Sequence, residues 1–235
     1  VDDLQWVDEL SLALCHYLVR GAHESGQHLV VFAATRAGGS GVLLADALPS
    51  ERVTSIELGP LSREEGVELG TKALVDRPGE VGADRLINTI AAHDRYPGAA
   101  IVLDFGTATT FDVVDDAGNY RGGVIAPGIN LSLQALQQAA AKLPSVAIHA
   151  TAKVIGTNTV ACMQSGIYWG YVGLIEGVVT RITKEYGAPM RVIATGGLAP
   201  VFEHATPVIE RVDGTLNLWG MRLVYERNRP KTIAV

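Results

Sequence analysis

One segment constrains this chain more than any other: Asp104-Phe105-Gly106-Thr107-Ala108-Thr109-Thr110. It leaves Ala100 to Phe105, a short continuous apolar run of the kind that forms a buried strand. Such a strand delivers the Asp104 carboxylate to its own end. Gly106 has no Cβ, so the backbone there can come close to a phosphate. Thr107, Thr109 and Thr110 add hydroxyls and backbone N–H groups in a tight turn. Thr109 to Val114 and Tyr120 to Ile125 then alternate, which predicts a hairpin closing over Asp115–Asn119. This is a phosphate-facing loop built on a hairpin, and no Gly-x-x-x-x-Gly-Lys-Ser/Thr segment occurs anywhere in the sequence.

Around this loop the pattern alternates between strands and helices. Helices are predicted over Glu80–His93, Asn130–Lys142, Asn158–Tyr186 and Asn217–Glu226. A further strand, Arg191 to Thr195, runs into Gly196-Gly197. Strand–hairpin–helix followed by helix–strand–helix is the signature of a layered α/β domain. The long Asn158–Tyr186 helix carries Ile167, Tyr168, Trp169, Tyr171, Val172, Leu174 and Ile175, which predicts an apolar face left over for a subunit interface. His93, His149 and His204 have no metal-ligand spacing and read as surface or loop residues.

Composition narrows the function classes. With 48% hydrophobic and 19% charged residues in 235, the chain is globular in type. Its formal net charge of −6 argues against nucleic-acid binding. No apolar run is long enough for a bilayer, so no membrane partner is expected. Cys15 and Cys162, far apart, exclude a disulfide scaffold and a four-cysteine zinc site, and fit a reducing, cytoplasmic setting.

The first 66 residues read differently. Val1 to Asp8, with the pair Asp2-Asp3, looks like the end of a Walker B strand, where carboxylates hold Mg²⁺. A helix over Glu9–Glu24, a strand over His28–Thr35 and Arg36 strengthen the pattern, which resembles the P-loop ATPase domain of bacterial signalling regulators. Taken alone, a pair such as Asp2-Asp3 before an apolar helix is more often a solvated helix cap than a metal site. Gly38-Gly39-Ser40-Gly41 carries no Lys, so this segment is not expected to hydrolyse ATP. The expected organisation is a partial P-loop-like α/β segment over 1–66 and a second unit over 67–235.

The second unit resembles the type III pantothenate kinases. The resemblance rests on Pro78 to Arg85, the Asp104 loop, Gly122 to Ile129, Ala140 to Pro144, Asn158-Thr159 with Gln164-Ser165-Gly166, and Thr195-Gly196-Gly197. It implies an actin-like or sugar-kinase (ribonuclease H-like) ATPase lobe. It further implies ATP-dependent phosphorylation of pantothenate to 4′-phosphopantothenate, at the entry to coenzyme A synthesis. By the same resemblance Asp84 is the general base, and Gly82, Ala83, Asp84 and Arg85 line the pantothenate site. Thr159 binds pantothenate too, from the same or a neighbouring subunit. Gly106 and Thr107 contact the ATP phosphates, Asp104 holds a monovalent cation (K⁺ or NH₄⁺), and Mg²⁺ is a further cofactor. A homodimer is also implied. Taken without the resemblance, Asp84-Arg85 is a surface ion pair and Thr159 a capping residue.

The sequence departs from the family pattern at its start. Family members open with a first phosphate hairpin, D-x-G-N-T, and these 235 residues contain none. The chain opens without Met on what reads as a strand end, so sequence upstream is expected. The junction near residues 60–90 predicts a chimera or a piece of a longer context, with catalysis impaired. Two other readings stay open: a fragment of a signalling P-loop ATPase, and a silent pantothenate-binding module.

Overall fold

The computed structural model describes residues 70–139 and 143–228. The readings for residues 1–66, including Asp2, Asp3, Cys15 and the Gly38–Gly41 loop, lie outside the described residues.

A short 3₁₀ turn, Pro78–Glu80, leads into helix α1, Ala83–Arg95. The expected start at Glu80 is therefore corrected by three residues. Pro78 fixes the 3₁₀ turn, Val81 and Gly82 are extended, and the helix begins only after them. Strand β1, Ala100–Phe105, is followed by β2, Ala108–Val114, and β3, Tyr120–Pro127. Helix α2, Ile129–Ala139, and the 28-residue α3, Thr159–Tyr186, come next. Asn158 caps α3 by accepting a hydrogen bond from the Ala161 N–H. Then follow β4, Arg191–Gly196, the short α4, Ala199–Phe202, β5, Arg211–Val212, and α5, Leu216–Asn228.

The five strands form one sheet in the order β3-β2-β1-β4-β5. β1, β2 and β3 are an antiparallel meander, and β4 lies parallel to β1 on its other side. A parallel neighbour needs a crossover, and the α2–α3 stretch supplies it.

Side chains alternate across the sheet, and the two faces collect different helices. Ile101, Leu103 and Phe105 of β1 join Phe111 and the buried face of α3, with Phe105 stacked on Phe202 at 5.0 Å. Ala100 and Val102 face the other way, with Val114, Ile193, Ala91, Ala92 and Leu216, beneath α1 and α5. On that second face the next β1 position is Asp104.

Two expectations are corrected here. Tyr168, Tyr171, Val172 and Ile175 are buried within this unit, and Ile167, Trp169 and Leu174 pack against the same core. The apolar face of α3 is thus largely covered by its own sheet, so it supplies no argument for a dimer. His93 is not a loop residue: it lies in α1, half-buried, with its ring under the hairpin turn at Gly118.

Candidate active site

The site is built on the α1 face of the sheet. Register places Asp104 between Thr110 of β2 and Thr195 of β4, so three polar side chains lie abreast across the strands. α1 crosses above them. Asn88, 1% exposed, donates from Nδ2 to Asp104 Oδ2 at 2.8 Å and accepts from Asn217 of α5 at 3.2 Å. A buried amide must be hydrogen-bonded, and here it is bonded to the carboxylate it orients. The other side of Asp104 is closed by Gly196, whose φ of +90° is open to glycine but not to residues with a Cβ.

One turn earlier on α1, Arg85 reaches Asp112 of β2. Asp112 Oδ1 accepts a hydrogen bond from Arg85 Nε at 2.6 Å and lies 2.6 Å from Nη2. Asp112 Oδ2 accepts from the Thr110 hydroxyl at 3.0 Å. The Arg85 guanidinium also sits 5.3 Å from the ring centre of Tyr120. Burial pushes the Asp112 carboxyl above its ordinary value, and the charge and hydrogen bonds of Arg85 oppose it. Burial, with the Asp112 charge next, pushes the Tyr120 hydroxyl up to about 12, so it stays protonated.

The turn after β1, exposed at Gly106 and Thr107, is braced from below. The Gly128 N–H donates to the Thr107 carbonyl at 3.0 Å, and the Gly106 N–H to the Ala108 carbonyl at 3.0 Å. Tyr171 of α3 donates its hydroxyl to the Pro127 carbonyl at 2.9 Å, so Ser132, 2.7 Å away, donates to Tyr171. The crossing from β3 into α2 is thereby fixed against the loop.

The structure brings Asp84, Arg85 and Asp104 to one helix–sheet junction. Gly82, Ala83 and Asp84 are exposed at the start of α1, and the Asp84 carboxylate folds back over Gly82. Arg85 pairs with Asp112 rather than with its neighbour Asp84. Thr159 stands apart. It is exposed at the first residue of α3, which packs on the opposite face of the sheet. Its neighbour Asn158, not Thr159, is the cap.

Asn88 and Asp112 carry no role in the sequence reading, and Tyr171 enters it only as part of an apolar face turned outward. A signal existed for Asp112: it is a charge at an inward position of an alternating strand, two residues after Thr110. Asn88 is a polar residue among the buried positions of α1, beside Leu86, Thr89, Ile90, Ala91 and Ala92.

Among the described residues no group of three or more His, Cys, Asp or Glu side chains is placed to hold a metal ion. Asp104 offers one carboxylate at the strand end, with one oxygen bonded to Asn88 and the other against Gly196. One carboxylate falls short of the six or more oxygens a divalent ion takes, so other donors would have to complete any such shell. Also among the described residues, no helix is long and apolar enough to cross a membrane.

Comparison with known proteins places this geometry in context. The type III pantothenate kinase family matches residues 48–181. The chain is 61% identical over 167 residues to a type III pantothenate kinase of Rhodospirillum rubrum, covering 71% of this chain and 65% of that protein. It is 63% identical over 165 residues to one from Paramagnetospirillum magneticum, covering 70% and 64%. With one from Phenylobacterium zucineum it shares 52% over 182 residues, covering 77% and 70%. The chain thus spans just under two thirds of the length of the first two relatives. The mixed α/β layer with its five-stranded sheet is of the actin-like ATPase type, as is that family.

Proposed function

The chain belongs to the type III pantothenate kinase family, and we propose that it phosphorylates pantothenate with ATP, giving 4′-phosphopantothenate, the first step of coenzyme A biosynthesis. The observation that carries this reading is the docking of α1. The helix that presents Asp84 is held by Asn88 to Asp104, the carboxylate heading the phosphate loop.

In this reading the primary hydroxyl of pantothenate attacks the γ-phosphorus as the bond to the bridging oxygen of ADP breaks. Asp84 takes the hydroxyl proton. Phosphoryl transfer is dominated by positioning, with proton loss late, and an exposed carboxylate suffices for that role. Gly82 to Arg85 line the acceptor site. Gly106 and Thr107 present the loop to the phosphates, and Tyr171 and Ser132 keep it in place. Asp104 would supply the carboxylate for a monovalent cation (K⁺ or NH₄⁺), and Mg²⁺ bound to ATP would neutralise phosphate charge. Thr159 contributes to pantothenate binding across a homodimer interface, since within one protomer its helix lies on the other face of the sheet.

The test is ADP release with and without pantothenate. Pantothenate-dependent release that falls on the order of 10²- to 10⁴-fold in Asp84→Asn is expected. ATP turnover independent of pantothenate, or an undiminished Asp84→Asn, would overturn the reading.

A further inference from the structure

We infer that Asn217 of α5 is a positioning residue for the Asp104 centre: it sets the amide of Asn88, and through that amide it fixes how the Asp104 carboxylate is presented at the strand end. The inference rests on the proposed kinase reading and adds to it a residue, on another helix, that acts only through Asn88.

Hydrogen-bond chemistry allows one arrangement along this line. An ionised carboxylate only accepts, so the Asn88 atom that meets Asp104 Oδ2 at 2.8 Å is Nδ2. Asn88 Oδ1 then points the other way and needs a donor, and Asn217 Nδ2 donates to it at 3.2 Å. Asn88 is 1% exposed, so bulk water does not take the place of Asn217. Without that donor the Asn88 amide is free to turn over, and its oxygen would then stand against the carboxylate. The surroundings are apolar: Ala91, Ala92, Ile193 and Leu216 lie on the same face. Leucine-sized side chains would fill this space and bury no amide, so packing does not account for the pair.

α5 is seated on α1 about one turn to either side of Asn217. On one side Asp213 accepts from Arg95 at 2.6 Å and from Tyr96 at 2.9 Å, at the end of α1, and from the Thr215 N–H at 3.0 Å, at the start of α5. On the other side Gly220 lets α5 close on the Ile87 carbonyl, in space that a Cβ would fill. Asn217, half-buried, is therefore held at a set distance from Asn88. At the far end of the line the rotation of an aspartate carboxylate about its last bond is soft, so a single orientation has to be imposed. Asn88 takes Oδ2, and Oδ1 lies where a Cβ on Gly196 would meet it. Asn217 locks the first of these two grips without touching Asp104.

Two substitutions in the intact chain separate the donor from the bulk. Asn217→Leu keeps the size and removes the donor; Asn217→Gln keeps the donor on a longer arm. In ADP release with varied pantothenate, Asn217→Leu should lower kcat by about tenfold, the scale of one hydrogen bond, and move KM for pantothenate by less than about twofold. Asn217→Gln should recover most of the lost kcat. In an Asn88→Ala chain, where the line is already cut, Asn217→Leu should cost less than about twofold more; should that chain not fold, the Leu–Gln comparison decides. A pair that served packing alone would tolerate Leu better than Gln and leave kcat per folded molecule unchanged. Nuclear magnetic resonance supplies a readout free of turnover: the Asn88 side-chain amide protons should exchange with solvent about tenfold or more faster in Asn217→Leu than in the wild type. Equal exchange in both, or an undiminished kcat in Asn217→Leu, would overturn the inference and leave the kinase reading intact. A wild type that releases no ADP with pantothenate would overturn the kinase reading, and the exchange comparison would still decide the role of Asn217.

Discussion

Gly196 and Gly197 are neighbours with opposite structural demands, and substituting each by alanine separates them. Gly196 has φ +90°, where a residue with a Cβ is strained by about 1–2 kcal/mol. Its added Cβ would also meet the Phe105 carbonyl oxygen at 2.6 Å, the Phe105 nitrogen at 2.7 Å and Asp104 Oδ1 at 2.7 Å. Two of these atoms are backbone of β1, held in the ladder that pairs Phe105 with Gly196, so they cannot turn aside as a flexible side chain would. Overpacking of this kind adds about 1–3 kcal/mol. Gly196→Ala should therefore lose roughly 2–5 kcal/mol, which lowers the melting temperature by about 4–20 °C for a chain of this size. Gly197 meets nothing within 4 Å, so Gly197→Ala should stay within about 0.5 kcal/mol of the wild type. Denaturant unfolding of the two variants gives the comparison directly. Equal stabilities would refute the argument that the β4 terminus closes on Asp104 through Gly196.

Two further outcomes follow from the packing. Phe202 is fully buried between Phe105 and Tyr168, with ring centres 5.0 and 5.7 Å away, so Phe202→Ala should lose about 3–5 kcal/mol in the same unfolding assay; a loss under 1 kcal/mol would contradict the stack. Burial works against the ionised Asp213, but hydrogen bonds from Arg95, Thr215 and Tyr96 outweigh it and hold the carboxyl below its ordinary value of 3.8. A depressed carboxylate contributes stability above its unfolded value and loses it as pH falls through the folded one. Asp213→Asn should therefore lose stability at pH 7 and show a shallower decline below about pH 5; stability profiles that run parallel in that window would refute the assignment.

The strand end and turn at Asp104–Thr107 were legible in the sequence because their signals are local. An apolar run ending in Asp104, then Gly106 and Thr107, specifies a strand end and turn within seven residues, and β1 has the bounds read from it. The acceptor side depends on pairings that no local pattern contains. Arg85 stands next to Asp84 in sequence, yet its partner is Asp112, 27 residues on, brought under α1 by the antiparallel turn between β1 and β2. Asn88 and Asn217 are 129 residues apart and meet only because α5 packs on α1. The apolar abundance of α3 was visible, but sequence could not say that the sheet and Phe202 would use most of it, and so it was assigned outward.

The spacing of Asp84, Arg85 and Asn88 has a mechanical consequence. Residues three apart lie on one side of a helix, so Arg85 and Asn88 both face the sheet and engage carboxylates on two neighbouring strands. Two anchors one turn apart fix both the position of α1 and its rotation about its own axis. Asp84 precedes the first anchor by one residue, about 100° around the helix, and so is turned off the anchored face toward solvent. The three carboxylates of the junction are separated by environment in this way. Asp112 is spent on Arg85, and Asp104 is oriented by Asn88. Asp84 remains exposed on a helix that cannot roll, which suits the base role proposed for it.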